Sequence, residues 1–477
     1  MNYIIATPEI FMLSMACIIL LVDVFWGQGE KVVCRKLAYW LSLATLAGAM
    51  FLTWHYSPAT TEAAFNGLFV SDSLSDVLKY FIYGITFVVL IYSSEYLEQR
   101  NLFRGEYFVL VLFSVLGMMI MVSAANFLPM YLGLELLSLS MYAMVAMNRN
   151  SREASEAAMK FFVLGAIASG MLLYGMSMIY GGTESLDLSA ISTAIANSND
   201  NKTILIFGLV FIVAGVAFKL GAAPFHMWAP DVYQGAPTAV TMFIGTAPKL
   251  AGFALAFRLL IDGLENLGMD WQQMLIILST LSIAIGNVVA LSQTNIKRML
   301  AYSAIAHMGY MMLGLIAGTQ SGYAASLFYS IVYTIMTAGA FGLIILVSRT
   351  GYEADQLDDI RGLGKRSPWF AFIMLILMFS MAGVPPFVGF WSKWFVLKEV
   401  VAVGHVWLAA TAVFFAIVGA FFYLRIVRLM YFDISEEDIS VTAPYDMKLV
   451  LSLNGITVLL LGLMPGTLLA ICLKAFG

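Results

Sequence analysis

Four titratable side chains stand inside long apolar runs, where they could carry protons. Glu135 lies in "NFLPMYLGLELLSLSMYAM", Lys219 in "VAGVAFKLGAAPFHMW", Lys249 in "FIGTAPKLAGFALAF" and Lys393 in "GVPPFVGFWSKWF". An isolated charge at mid-bilayer costs from about 2.5 to more than 10 kcal/mol, so it normally faces a hydrated interior and finds a partner. Burial disfavours the charged form of either residue type, and a nearby opposite charge favours it. A Lys–Glu couple in an apolar interior therefore changes protonation when one partner moves.

Each residue also has a plainer reading. Glu135 is too deep in its run to reach headgroups, which leaves structural hydrogen bonding as its alternative. Lys219 and Lys393 stand where a long stem could snorkel to an interface, and so does Lys249 if its span shifts. Lys249 follows Pro248, whose missing N–H frees a carbonyl one turn earlier. His226, in the Pro-rich stretch after Lys219, and His307, in "MLAYSAIAHMGYMML", could relay protons near neutral pH or simply satisfy hydrogen bonds. Lys79 stands beside Asp72 and Asp76, which suggests an interfacial ion pair.

Other chemistries are missing from the pattern. No phosphate-binding glycine loop, nucleophile elbow or metal-spaced His/Cys cluster occurs. Cys17, Cys34 and Cys472 are scattered, so no metal site, cluster or cofactor is expected in this chain. If electrons move in this system, another chain carries them.

The elements that hold these residues follow from composition. Of the 477 residues, 61% are hydrophobic and 11% charged, against roughly 25% charged in a soluble domain. Apolar runs long enough to cross about 30 Å of hydrocarbon recur along the whole chain. They predict an all-α polytopic membrane protein with spans near 8–26, 37–55, 75–94, 106–124, 126–147, 157–180, 204–222, 238–260, 272–293, 299–317, 321–347, 369–402, 405–431 and 449–474. The opening "MNYIIATPEI" lacks a basic segment, so the first run is expected to be a span and not a cleaved signal.

Charge in the connections supports fourteen spans. With both termini outside, seventeen Lys and Arg fall in inward connections, among them Arg100, Arg104, Arg149, Lys297, Arg298 and Arg349. Four face outward: Lys202, Arg258, Lys398 and Lys474. The asymmetry obeys the positive-inside rule. Two internal likenesses suggest a repeat: "AGFALAFRLL" (251–260) with "GAFFYLRIVR" (419–428), and "GAAPFHMW" (221–228) with "GVPPFVGFW" (383–391). Paired interrupted spans in two halves are a pointer to a transport site.

"FKLGAAPFHMWAPDVYQGAPTAVTMFIGTAPKLAGF", "NFLPMYLGLELLSLSMYAMVA", "NIKRMLAYSAIAHMGYMMLG" and "MAGVPPFVGFWSKWFVL" together resemble the antiporter-like membrane subunits of the proton-pumping NADH–quinone oxidoreductase, respiratory complex I. The resemblance implies fourteen helices with two inverted five-helix repeats, and breaks in the seventh and twelfth spans. On it, 1–105 holds three N-terminal helices, 106–260 the first repeat, 272–431 the second and 449–474 the last helix. It implies that Glu135 pairs with Lys219, that Lys249 relays protons and that Lys393 leads outward. Aligning the repeats sets Ala416 opposite Lys249, so the second half is expected to lack that relay. The short tail after the last span is expected to set the chain apart from sister subunits with a long lateral helix.

The expected function is proton translocation coupled to quinone reduction in other subunits. Flavin, iron–sulfur clusters and quinone are expected in those partners, alongside neighbouring antiporter-like and small membrane subunits. The bacterial plasma (inner) membrane is the expected location, and no nucleic acid is expected among the partners. Two rivals stand: a subunit of a multi-subunit Na⁺/H⁺ antiporter, which would use the same charged row, and a scaffold whose buried charges only fix helix packing.

Overall fold

The computed structural model describes residues 3–26, 31–58, 60–197, 202–348, 352–434 and 444–477. Arg349, and the side chains of Lys31 and Arg35, lie outside what is described. In chain order the helices are α1 (Thr7–Trp26), α2 (Lys31–Tyr56), α3 (Ser73–Gln99), α4 (Gly105–Val122), α5 (Phe127–Val145), α6 (Arg152–Thr183), α7 (Leu188–Asn197), α8 (Lys202–Leu220), α9 (Trp228–Gly235) and α10 (Thr238–Ile244). They continue as α11 (Ala247–Phe257), α12 (Gly268–Leu291), α13 (Ile296–Ile316), α14 (Gln320–Val347), α15 (Leu363–Arg366), α16 (Pro368–Ala382), α17 (Val388–Ala402), α18 (Val406–Tyr431), α19 (Tyr445–Leu463) and α20 (Pro465–Lys474).

Thirteen helices among the described residues are long and apolar enough to cross a membrane. The predicted span 369–402 is two helices of 15 residues, α16 and α17, on either side of a break. Each rises only about 22 Å, short of the hydrocarbon thickness. The predicted span 449–474 also divides, because Met464 leaves the helix and Pro465 starts a new one. The break in 369–402 is the one expected of the twelfth span, whereas run length alone does not show the one at Met464: Pro is welcome in a first helical turn and ruinous inside a helix.

The chain forms two compact units. The first comprises Met1–Phe87, Phe103–Leu220 and Ala247–Met274. Inside it, α4 packs along α5 and α6 along α8 through paired glycines. A Cβ on Gly117 would meet the Gly133 carbonyl oxygen at 2.7 Å, and one on Gly175 would meet that of Gly208 at 2.7 Å. Small residues let helix backbones approach closely where no water-driven force joins them. Helix α5 starts cleanly because the Asn126 side chain accepts from the Leu128 N–H at 2.9 Å. A short hairpin, β1 (Glu62–Ala64) with β2 (Phe69–Ser71), sits on the same unit.

The second unit comprises Val88–Leu102, Gly221–Thr246 and Leu275–Gly477. Its centre is α13 and α14, nearly all of whose residues are buried. Helices α9, α10, α16 and α17 pack on this pair. By contrast α18 shows Phe414, Ile417 and Phe421 at its surface, as a lipid-facing helix does.

Candidate functional site

In the first unit the site rests on three helices. Glu135 stands on α5, Lys219 in the last turn of α8, and Lys249 in the first turn of α11. The Lys219 ammonium donates to Ser138 Oγ at 3.1 Å, and Ser138 lies three residues along α5 from Glu135. Ser169, on α6, donates to the Glu135 carboxylate, and its oxygen lies 3.3 Å from Tyr131 Oη, whose hydroxyl can donate to it. Glu135 and Lys219 are thus brought to one face of α5 and held there by hydroxyls, with no direct ion pair in this structure. The glycine contacts between α4 and α5, and between α6 and α8, set the spacing on which these bonds depend.

Lys249 is nearly fully buried, at 3% exposure, and its Nζ donates to the Leu220 carbonyl at 2.9 Å. Leu220 ends α8, where the last carbonyls of a helix have no partner of their own and carry the negative end of its dipole. Gly221, at φ 76°, takes the left-handed turn that ends the helix. The predicted span at 238–260 is present as one apolar stretch, Thr238–Gly263. It is kinked at Gly245 and Thr246, between α10 and α11, so Lys249 stands in the first turn after the kink, and α11 passes into a π-helical turn at Arg258–Gly263.

The second unit repeats the device. Lys393 Nζ donates to the carbonyls of Met381 at 3.1 Å and Ala382 at 2.8 Å, the last two residues of α16. Gly383, at φ 88°, turns the chain away. The ammonium also lies over the Tyr310 ring, 5.3 Å from its centroid. In each unit, then, a broken helix offers its carbonyl end to a lysine. The alignment that set Ala416 against Lys249 concealed this likeness, because Lys393 approaches from a different helix.

His307 joins a buried hydroxyl chain. Its Nδ1 bonds Tyr329 Oη at 2.8 Å and its Nε2 bonds Tyr423 Oη at 3.0 Å, while Tyr423 also bonds Ser303. An imidazole bonded at both nitrogens can take a proton on one and release one from the other. His226 is buried at 8% exposure and meets the Tyr302 ring edge-on, with centroids 6.4 Å apart.

Ser138, Ser169, Tyr329 and Tyr423 could not be singled out from the sequence. Serines and tyrosines are common in apolar spans, and only the packing decides which of them meet a charge. One further expectation is corrected: the close ion pair of Lys79 is with Glu9 of α1 at 2.7 Å. Arg258, counted with the outward cations, is 6% exposed, bonds Asp72 at 2.7 Å and Asp262 at 2.9 Å, and donates to the Val122 carbonyl. Among the described residues no group of three or more His, Cys, Asp or Glu could hold a metal ion.

Comparison with known proteins gives concordant results. A family model described as "NADH:quinone oxidoreductase/Mrp antiporter, TM" matches residues 124–419. The NADH-quinone oxidoreductase subunit N of Thiobacillus denitrificans is 57% identical over 472 residues, covering 99% of this chain and 97% of the relative. One chain of respiratory complex I from Thermus thermophilus superposes with a TM-score of 0.82 at 30% identity, covering 99% of this chain and 100% of that one. A chain of the Mrp complex from Dietzia superposes with a TM-score of 0.86 at 18% identity, covering 100% of this chain and 97% of that one, which is a likeness of fold.

Proposed function

We propose that this chain, which belongs to the subunit N family of the NADH–quinone oxidoreductases, moves protons across the membrane by way of Glu135, Lys219, Lys249 and Lys393. It is an antiporter-like membrane subunit of complex I and works beside other membrane subunits of that enzyme. Flavin, iron–sulfur clusters and quinone are assigned to those partners. Quinone reduction there would change hydration and charge along this row, passing a proton from one group to the next. His226 and His307 are candidate relays within the second unit. We place the chain in the bacterial inner membrane with both termini outside, on the strength of the Lys and Arg asymmetry in its connections.

One observation carries the reading: each broken helix delivers its unpaired carbonyls to a buried lysine, Lys249 at Leu220 and Lys393 at Ala382. Such carbonyls carry the negative end of a helix dipole and so favour the ammonium form at the position where each lysine meets them. The 57% identity to a subunit N favours complex I over the sodium–proton antiporter, whose likeness is of fold.

The direct experiment replaces Lys219 or Glu135 by Ala in the assembled complex and follows redox-driven proton uptake in vesicles. Loss of uptake is expected in both. Uptake at the native rate overturns the assignment.

A further inference from the structure

Between α14 and α15, the segment 352–362 lies against the ends of three other elements of the second unit. Glu353 is the centre of this contact. Its carboxylate accepts from Tyr96 Oη at 3.0 Å, in the last turn of α3, and from Arg100 Nε at 2.9 Å, just past the end of that helix. It also accepts from Thr238 Oγ1, at the first residue of α10, and lies 3.9 Å from Lys297 Nζ in the first turn of α13. A second set of bonds closes around these. The Thr238 N–H donates to Tyr96 Oη at 2.9 Å, Lys297 donates to the Ala236 carbonyl at 3.2 Å, and Arg100 donates to the Tyr352 carbonyl at 3.1 Å. The Arg100 guanidinium stacks over the Tyr96 ring, 3.9 Å from its centroid.

All of these bonds converge on the joint between α9 and α10. Ala236 there is extended, at φ −73° and ψ 152°, and Pro237 has no N–H to offer. Within the joint the Thr241 hydroxyl of α10 donates to the Tyr233 carbonyl of α9 at 3.0 Å, and the bonds around Glu353 brace the same two helices from outside. On its other side, α9 is tied to α13 by Arg298, which bonds Asp231 at 2.7 Å and Gln234 at 3.2 Å.

We infer that Glu353 is a positioning residue, whose carboxylate holds the α9–α10 joint in register against the ends of α3 and α13 and so fixes the chain that follows the first helix break. Its charge matters more than its shape. The Arg100 and Lys297 side chains are 16% and 4% exposed, and a neutral group in place of the carboxylate would remove a negative charge that both partly buried cations face. The environment keeps the carboxylate charged. Burial pushes its pKa up, but Lys297, Arg100 and the hydroxyls of Thr238 and Tyr96 outweigh burial and hold it below the ordinary carboxylate value.

The hold on the joint stands on geometry alone, whereas its consequence for transport rests on the proposed proton path. Two readouts on the intact complex keep them apart. In Glu353→Gln, hydrogen exchange of the amides in 236–241 is expected to rise about tenfold or more, the scale of losing one charge-assisted hydrogen bond. Exchange in α5 should stay native, and protons translocated per quinone reduced should fall. Glu353→Asp keeps the charge on a shorter stem and should fall between native and Glu353→Gln in both readouts; it serves alone if Glu353→Gln does not assemble. Adding Arg100→Gln to Glu353→Gln removes one stranded cation and should bring exchange back toward native. Native exchange at 236–241 in the single variants overturns the hold, and raised exchange with a native proton ratio overturns the positioning role. Neither result bears on Lys219 and Glu135, whose own variants test the path.

Discussion

At Lys219, Ser138 and Glu135, the proposed path rests on two hydroxyl contacts. The ammonium takes a hydroxyl for its partner while the carboxylate takes another, so neither charge is locked into the other. Ser138→Ala should therefore slow redox-driven proton translocation about tenfold in an assembled complex, since a hydrogen bond to a charged group contributes roughly 1.5–3 kcal/mol; proton uptake by vesicles checks it. The charged residues of this set were legible, because a lysine or glutamate in an apolar run is conspicuous. Their hydroxyl partners were not, because Ser138 and Ser169 look like any small polar residue in a span. Long-range pairs were equally hidden: nothing near Lys79 in the sequence points to Glu9, seventy positions away. Glu353 adds a pH dependence. Its pKa is lowered in the fold, so the stability it contributes is fully present above the unfolded carboxylate value and is lost as pH falls through the folded one. Exchange at the α9–α10 joint should thus rise on acidification from the ordinary carboxylate range downward, and Glu353→Gln should abolish that dependence.

At the scale of elements, the proposed path depends on the two helix breaks. Gly221 and Gly383 end α8 and α16 in the left-handed conformation, and prolines within a few residues prevent the helices from resuming at once. Both breaks could be read in advance, because Gly and Pro impose backbone geometry whatever surrounds them. The kink at Gly245 and Thr246 is less legible, since a single glycine in an apolar run fits a straight helix just as well. Gly383→Ala should be costly twice over. A Cβ strains a backbone at φ 88° by roughly 1 kcal/mol, and it meets the Lys393 side chain at 3.0 Å, displacing the ammonium from its carbonyls. The expected result is impaired proton translocation with little change in yield of the complex, seen by comparing vesicle uptake with the amount assembled. Gly133→Leu acts elsewhere: it forces α5 from α4, where the Gly117 carbonyl leaves no room, and should reduce the assembled complex recovered from the membrane.

Across the whole molecule, the abundance of apolar runs made the fold class plain, and thirteen long helices with a broken pair agree with it. The pairing of span ends was harder, because α3 and α12 each contribute to both compact units, and no hydropathy pattern marks such sharing. What unites the molecule functionally is the claim that protons pass through the buried lysines. The most direct measurement takes the complex carrying Lys249→Ala, reconstituted in sealed vesicles, and counts protons translocated per quinone reduced. The α11 lysine that meets the last carbonyl of α8 is then gone while Glu135, Lys219 and Ser138 remain in place. A ratio clearly below that of the native complex is predicted. A native ratio at a native rate would contradict the account.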